Sequence, residues 1–241
     1  MYKEHPDLKR PKNANTKIWR YMDFTKLVSL LDKQALFFSR ADKLGDPFEG
    51  SHPKANMPLR AKVYKGEVPL EDISEIYKLL REFTALNCWH LNTHESAAMW
   101  KLYLESNEGI AIQSTFKRLK DSFKDKKNNI FIGKVQYVDY ERDRIPDDPL
   151  SSFLYKRRSF SHELELRAVI QKLPEKGLSP RSKRPFDDGI YVPVDLDILI
   201  DKIYLAPTSP KWLLELVKSL LMKYRLSKDV LQSNLDDKPV Y

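Results

Sequence analysis

Apolar residues first fall into a pattern at residues 18–22, a short run rich in aromatic and aliphatic side chains that predicts a strand. Asp23 stands where a helix cap belongs. Phe24, Leu27, Val28 and Leu31 follow at the i, i+3, i+4, i+7 spacing of one helical face. Residues 35–39 read as a buried strand, and residues 45–50 (Gly-Asp-Pro-Phe-Glu-Gly) as a turn, because Pro47 pushes Asp46 out of the helical region. Ile73, Ile76, Tyr77, Leu80 and Phe83 then mark a second amphipathic helix, and residues 85–90 a strand with Cys88 on its core side. Asn92 with Glu95 three residues on resembles a capping pair, which predicts a helix through Ala98, Trp100, Tyr103 and Leu104, ended by Gly109.

Residues 110–114 predict a strand, 116–123 a short helix and 130–140 a longer strand. Over residues 163–170 the chain alternates with a period of two. That places Leu164, Leu166, Ala168 and Ile170 on one strand face and Glu163, Glu165 and Arg167 on the other. A proline-rich, charged loop at 172–188 precedes strands at 190–194 and 202–206. Ser209 and Pro210 cap a final helix in which Trp212, Leu213, Leu216, Val217, Leu220, Leu221 and Tyr224 form a wide apolar stripe. Residues 1–15 and 227–241 lack periodic apolar positions and read as flexible ends. The expected fold is one α+β domain over residues 16–226, with a mixed or split β-sheet core flanked by amphipathic helices.

Composition narrows the function. With 241 residues, 41% hydrophobic and 32% charged, the chain has ample core and is not a disordered or low-complexity protein. No apolar run approaches the ~20 residues of a membrane helix, and the first 17 residues are polar where a signal peptide is apolar. A cytoplasmic protein with no membrane partner is expected. The single cysteine, Cys88, has no internal disulfide partner, which fits a reducing compartment. Only 7 glycines are present, and neither a Walker loop nor a dinucleotide fingerprint occurs, so standard kinases, nucleotide hydrolases and dehydrogenases drop out. The net charge of +8 raises encounter rates with phosphates, nucleotides and nucleic acid. The basic runs at 117–127, 156–158 and 181–185 read as solvated surface.

Several residue groups carry candidate chemistry. Alternate residues on a strand lie about 7 Å apart, so Glu163, Glu165 and Arg167 act as one polar cluster. Lining a cleft, a carboxylate there stabilises an oxocarbenium-like centre while the arginine tunes its neighbour; on a wet face the same residues are an ordinary ion-pair row. Arg20, between Trp19 and Tyr21, either grips a phosphate or carboxylate or pairs with an acid such as Asp23 or Glu49. Trp100 and Tyr103 offer a wall for a flat ring, or belong to the core. His90 and His94 do not form a metal motif, because the predicted helix starts between them. Cys88 and His90 have the residue types of a thiol nucleophile and its base, but on a strand they read as a buried small residue and a satisfied histidine.

Taken together, Trp19-Arg20-Tyr21, Ala35-Leu36-Phe37-Phe38-Ser39, the Gly45-Asp46-Pro47-Phe48-Glu49 turn, Met99-Trp100 with Tyr103 through Gly109-Ile110-Ala111-Ile112, and Glu163-x-Glu165-x-Arg167 resemble a bacterial domain family of unknown function. Its members read Lys-Tyr-Arg, Asn-Asp-Pro-Phe, Met-Trp with a Tyr, and Glu-x-Glu-x-Arg. The likeness covers roughly residues 18–205, and this chain departs from it at Gly45 and in the order of the first motif. A basic residue on the opening strand with a late Glu-x-Glu also resembles, more distantly, the layout of ADP-ribosyltransferases. That layout implies Arg20 as the NAD anchor, Ser114 and Thr115 as a partial middle element, Glu165 as the catalytic carboxylate and Glu163 as its helper in acceptor attack. Tyr21, Trp100, Tyr103 and Arg167 complete the candidate binding set. The function implied is an NAD-using ADP-ribosyltransferase or NAD glycohydrolase of bacterial defence or toxin type. NAD is then a substrate rather than a tightly bound cofactor, and a nucleic acid or protein is the acceptor. The alternatives are a non-enzymatic module whose basic surface contacts nucleic acid or an acidic protein, and a structural or regulatory partner protein presenting an apolar patch.

Overall fold

The computed structural model describes residues 1–58, 70–103, 107–175 and 177–240, with side chains described from 73 onward in the second stretch. One mixed sheet of ten strands dominates the fold. Its members are β1 (Tyr2–Lys3), β2 (Lys17–Asp23), β3 (Ala35–Arg40), β4 (Thr84–Leu91), β5 (Gly109–Thr115), β6 (Ile130–Lys134), β9 (Glu165–Gln171), β10 (Gly189–Pro193), β11 (Lys202–Leu205) and β12 (Asp229–Gln232). The remaining strands, β7 (Gln136–Val138) and β8 (Tyr155–Arg157), pair with each other as a small parallel ribbon. Helices among the described residues include α1 (Phe24–Lys33), α2 (Leu70–Leu80), α3 (Ala97–Tyr103), α4 (Phe116–Ser122), α5 (Leu196–Leu199) and α6 (Lys211–Lys223). The α+β class and the split sheet expected from the pattern are both present.

The strands run β1-β6-β9-β4-β2-β5-β11-β12, antiparallel except for the two outermost pairs. The split lies along β4. Its last residues pair with β2 (Trp19 opposite His90), and its first residues pair with β3 (Ser39 opposite Leu86), which in turn carries β10. Strands β2 and β3 thus share one edge of β4 and diverge at Asn87, Cys88 and Trp89.

Strand alternation sorts the cores. Ile18 and Met22 of β2, Leu36 and Phe38 of β3, Trp89 of β4 and Leu166, Ala168 and Ile170 of β9 join the apolar stripes of α1, α4 and α6 in the main core. On the opposite face Leu86 and Val169 pack against α2, while Trp19 and Tyr21 pack against α3. Helix α1 begins as expected, with Asp23 Oδ1 accepting from the Lys26 N–H at 2.7 Å, and Gln34 in the left-handed region ends it.

Several expectations change. Helix α3 starts at Ala97 rather than after Asn92, since Ser96 Oγ accepts from the Met99 N–H at 3.3 Å while Glu95 accepts from the Trp100 indole. Leu104 lies outside the described residues, and Gly109 opens β5. The long strand of 130–140 breaks at Val135, whose N–H donates to the Glu165 carbonyl at 2.9 Å before the chain leaves the sheet to pair with β8. In α6 only Leu213, Val217 and Leu221 are buried, while Trp212 and Leu216 are exposed, so the stripe is narrow. Both terminal segments contribute a short strand to the sheet, β1 beside β6 and β12 beside β11.

Candidate active site

Where β2 and β3 part, the edge of β4 that neither strand pairs floors a pocket of about 380 Å³, within the range of small-molecule sites. Among the described residues, two side chains bridge the gap. Asn87 Nδ2 donates to the Phe37 carbonyl at 2.9 Å, and Arg20 Nη1 donates to the Cys88 carbonyl at 2.8 Å. Arg20 is half-buried, its guanidinium 6.0 Å from the Trp89 ring centre. Neither acid considered as its partner reaches it: Asp23 caps α1 and pairs with Lys26, and Glu49 pairs with Arg167. Among the described residues no carboxylate forms an ion pair with Arg20, and burial lowers its proton affinity below the ordinary arginine value. Desolvated cations are normally compensated, so this one is suited to an anion from outside.

The glutamates stand in the same pocket, in a different arrangement from the one the alternation predicts. Glu163 belongs to a 3-10 turn, and Leu164 adopts φ 42°, in the left-handed region. The strand therefore begins only at Glu165, and Leu164, expected in the core, is 47% exposed. This twist directs both carboxylates onto one ammonium: Lys156 Nζ lies 2.5 Å from Glu163 Oε2 and 2.9 Å from Glu165 Oε1. Lys156 comes from β8, the ribbon created by the break at Val135. It is 8% exposed, so the reading of run 156–158 as solvated surface fails for this residue. From β7, Tyr137 accepts the Glu165 N–H at 2.8 Å.

Beneath, Glu165 Oε2 accepts from Arg167 Nε, and Arg167 forks onto Glu49, with Nη2 to Oε2 at 3.0 Å. Arg167 is 1% exposed and Glu165 6%, so the wet ion-pair row is excluded. Burial alone raises Glu165, yet Arg167, with Glu163 and Lys156, holds it well below the usual carboxylate range. Glu163 moves the other way: burial and the adjacent Glu165 push it up to about 7 despite Lys156. Two neighbouring carboxyls with opposite displacements have the chemistry to serve as an ionised stabiliser and a proton carrier.

Of the other candidates, Tyr21 and Tyr103 line the pocket with near-parallel rings, 6.4 Å apart and inclined at 27°. Trp100 stands behind them, edge-on to Tyr21 at 4.9 Å, in the core. Ser114 is buried, its hydroxyl donating to the Leu199 carbonyl, so no side chain of a middle element faces the pocket from there. Arg167 is spent on two glutamates and the Phe153 carbonyl, and acts on the site through Glu165. Burial pushes the Cys88 thiol up to about 12, which removes it as a nucleophile. His90 lines the pocket and donates from Nδ1 to the Glu163 carbonyl at 2.6 Å. Sequence reasoning missed Lys156, the role of Glu49, and Phe37 and Tyr191 on the far wall. Two motifs signalled members of this set, Gly-Asp-Pro-Phe-Glu for Glu49 and Ala35-Leu36-Phe37-Phe38-Ser39 for Phe37.

No family model matches the chain. Nor does any curated protein. Among solved structures, it is similar in outline to DarT of Thermus sp. 2.9. The complex of that protein with NAD+ aligns at a TM-score of 0.42 and 10% identity, over 92% of this chain and 96% of that one. Its complex with ADP-ribosylated ssDNA aligns at 0.43 and 10%, over 94% and 98%. The complex with carba-NAD+ gives 0.39 and 10%, over 92% and 96%.

Proposed function

We propose that this pocket cleaves the nicotinamide–ribose bond of NAD+ and passes the ADP-ribose to water or to an acceptor. One observation carries the reading: a half-buried arginine without a carboxylate partner among the described residues shares a pocket with two glutamates displaced in opposite directions. The layout resemblance to ADP-ribosyltransferases assigns Arg20 and the Glu-x-Glu pair to the same reaction.

In this reading Arg20 receives the diphosphate, and Tyr21 and Tyr103 flank the nicotinamide. As the C–N bond breaks, its electron pair leaves with nicotinamide and positive charge grows on the ribose. Glu165, ionised and clamped by Lys156 and Arg167, stabilises that charge without having to reorganise. Glu163 takes the proton of the attacking hydroxyl, or of water, as the new bond to the ribose carbon forms. The net charge of +8 favours a polyanionic acceptor such as nucleic acid.

Release of nicotinamide from NAD+ by the whole chain tests the proposal. Glu163→Gln is expected to lower turnover by about 10²- to 10⁴-fold, the usual contribution of a general base, with NAD+ binding retained. Wild-type turnover in that variant, or failure of the wild-type chain to bind NAD+, overturns it.

A further inference from the structure

Across the seam from Tyr21 and Tyr103, the pocket has a second aromatic surface that the reaction does not use. Phe37 of β3 and Tyr191 of β10 are directly opposed across the strands, and their ring centres lie 5.0 Å apart at 57°. Both line the pocket, yet they stay 37% and 44% exposed. Their neighbours on the same strands, Phe38 and Val192, are buried, so these two are held out by strand alternation rather than by lack of a core.

The pair is also fixed in place. Gly189 has no side chain, and a Cβ there would stand 2.5 Å from Phe37 Cζ, so the Phe37 ring occupies the space that glycine leaves. The Tyr191 hydroxyl hydrogen-bonds with Ser29 Oγ of α1 at 3.0 Å. A seated ring and a tethered ring form a ready platform for a flat aromatic group. Arg20 reaches into the seam between β2 and β3, the strands that bear the two aromatic surfaces. The chemistry that fits is two flat rings joined by an anionic linker.

Building on the NAD+ reading, we infer that Phe37 and Tyr191 form the subsite for the purine end of the dinucleotide and set the affinity for it. The nicotinamide end is held separately, at Tyr21 and Tyr103.

Calorimetric titration of the full chain with NAD+, AMP and nicotinamide mononucleotide tests this. Phe37→Ala and Tyr191→Ala are each expected to weaken NAD+ and AMP by about 5- to 100-fold, the range for removing one base-stacking aromatic, and to leave the mononucleotide unchanged. Both side chains are partly exposed, so the variants keep the fold, which their melting temperatures verify. Unchanged NAD+ and AMP affinity overturns the subsite, as does equal weakening of the mononucleotide. If the wild-type chain binds AMP through these residues but not NAD+, the subsite stands and the NAD+ reading falls. If Arg20 substitution abolishes NAD+ binding while the aromatic variants bind normally, the reading stands and the subsite falls.

Discussion

Arg167 and Glu49, far apart in the chain, form a two-pronged ion pair in which both side chains are almost wholly sealed from solvent. The Gly-Asp-Pro-Phe-Glu turn and the Glu-x-Glu-x-Arg strand therefore belong to one structure. The turn supplies the counter-charge that lets an arginine sit under Glu165. Removing one partner of a buried pair costs about 3–5 kcal/mol. Arg167→Met is expected to lose stability of that order in urea unfolding, and Arg167→Lys to recover only part of it, because an ammonium cannot reproduce the fork. Wild-type stability in Arg167→Met contradicts the assignment.

Arg20 should behave in the opposite way. It compensates no carboxylate among the described residues, so Arg20→Gln leaves no buried anion behind. The variant is expected to unfold within about 1 kcal/mol of wild type while NAD+ affinity falls about 10- to 100-fold, the worth of a charge-assisted hydrogen bond. Parallel thermal melts and titrations separate the two effects. A large fall in the melting temperature would instead mark Arg20 as structural.

Glu163 sets a pH dependence. With its carboxyl at about 7, the ionised form that the proposed reaction needs is depleted as pH falls through neutrality, and turnover of NAD+ is expected to fall with it. Lys156 favours the ionised form, so Lys156→Met moves that limb to higher pH, and carbon-detected NMR of the glutamate carboxyls reads the same shift without activity. Stability is linked with a definite sign. Between the ordinary 4.5 and about 7 the folded chain holds a proton on Glu163 that the unfolded chain has released, so this group's contribution declines as pH rises through that window. Glu165, held low, contributes above the ordinary carboxylate range, and that contribution is lost on acidification.

Leu164 tests the backbone. Its side chain is exposed and its φ is left-handed, a conformation costing an ordinary L-residue about 1–2 kcal/mol. Leu164→Gly is expected to equal or exceed wild type in chemical denaturation, and Leu164→Val to fall below it, because a β-branched side chain tolerates this region least. If glycine destabilises by more than valine, the twist does not set the glutamate geometry.

Periodicity made most of the sheet legible, since β2, β3, β4, β5 and β9 all alternate or run apolar. The layout resemblance to ADP-ribosyltransferases brings Arg20 and Glu165 forward together, and both line the pocket. The failures of periodicity have physical causes. Alternation cannot reveal a left-handed residue, so it puts Glu163 on a strand that starts two residues later. The uninterrupted β-forming composition of 130–140 hid the switch of partner at Val135, which depends on a carbonyl from β9. Lys156 sits in a run of cations that look alike until the fold buries one of them. Ser114 matched a motif by residue type, but its hydroxyl serves the Leu199 carbonyl.

The charge cluster beneath the pocket holds Lys156 and Arg167 against Glu49, Glu163 and Glu165. It is electrically balanced while Glu163 carries its hydrogen and one unit negative once that hydrogen leaves. In the NAD+ reading, a positively charged pyridinium settling nearby shifts the balance toward release, so docking of such a ring is expected to expel a proton. The heat of docking then varies with the ionisation enthalpy of the buffer that takes up the proton.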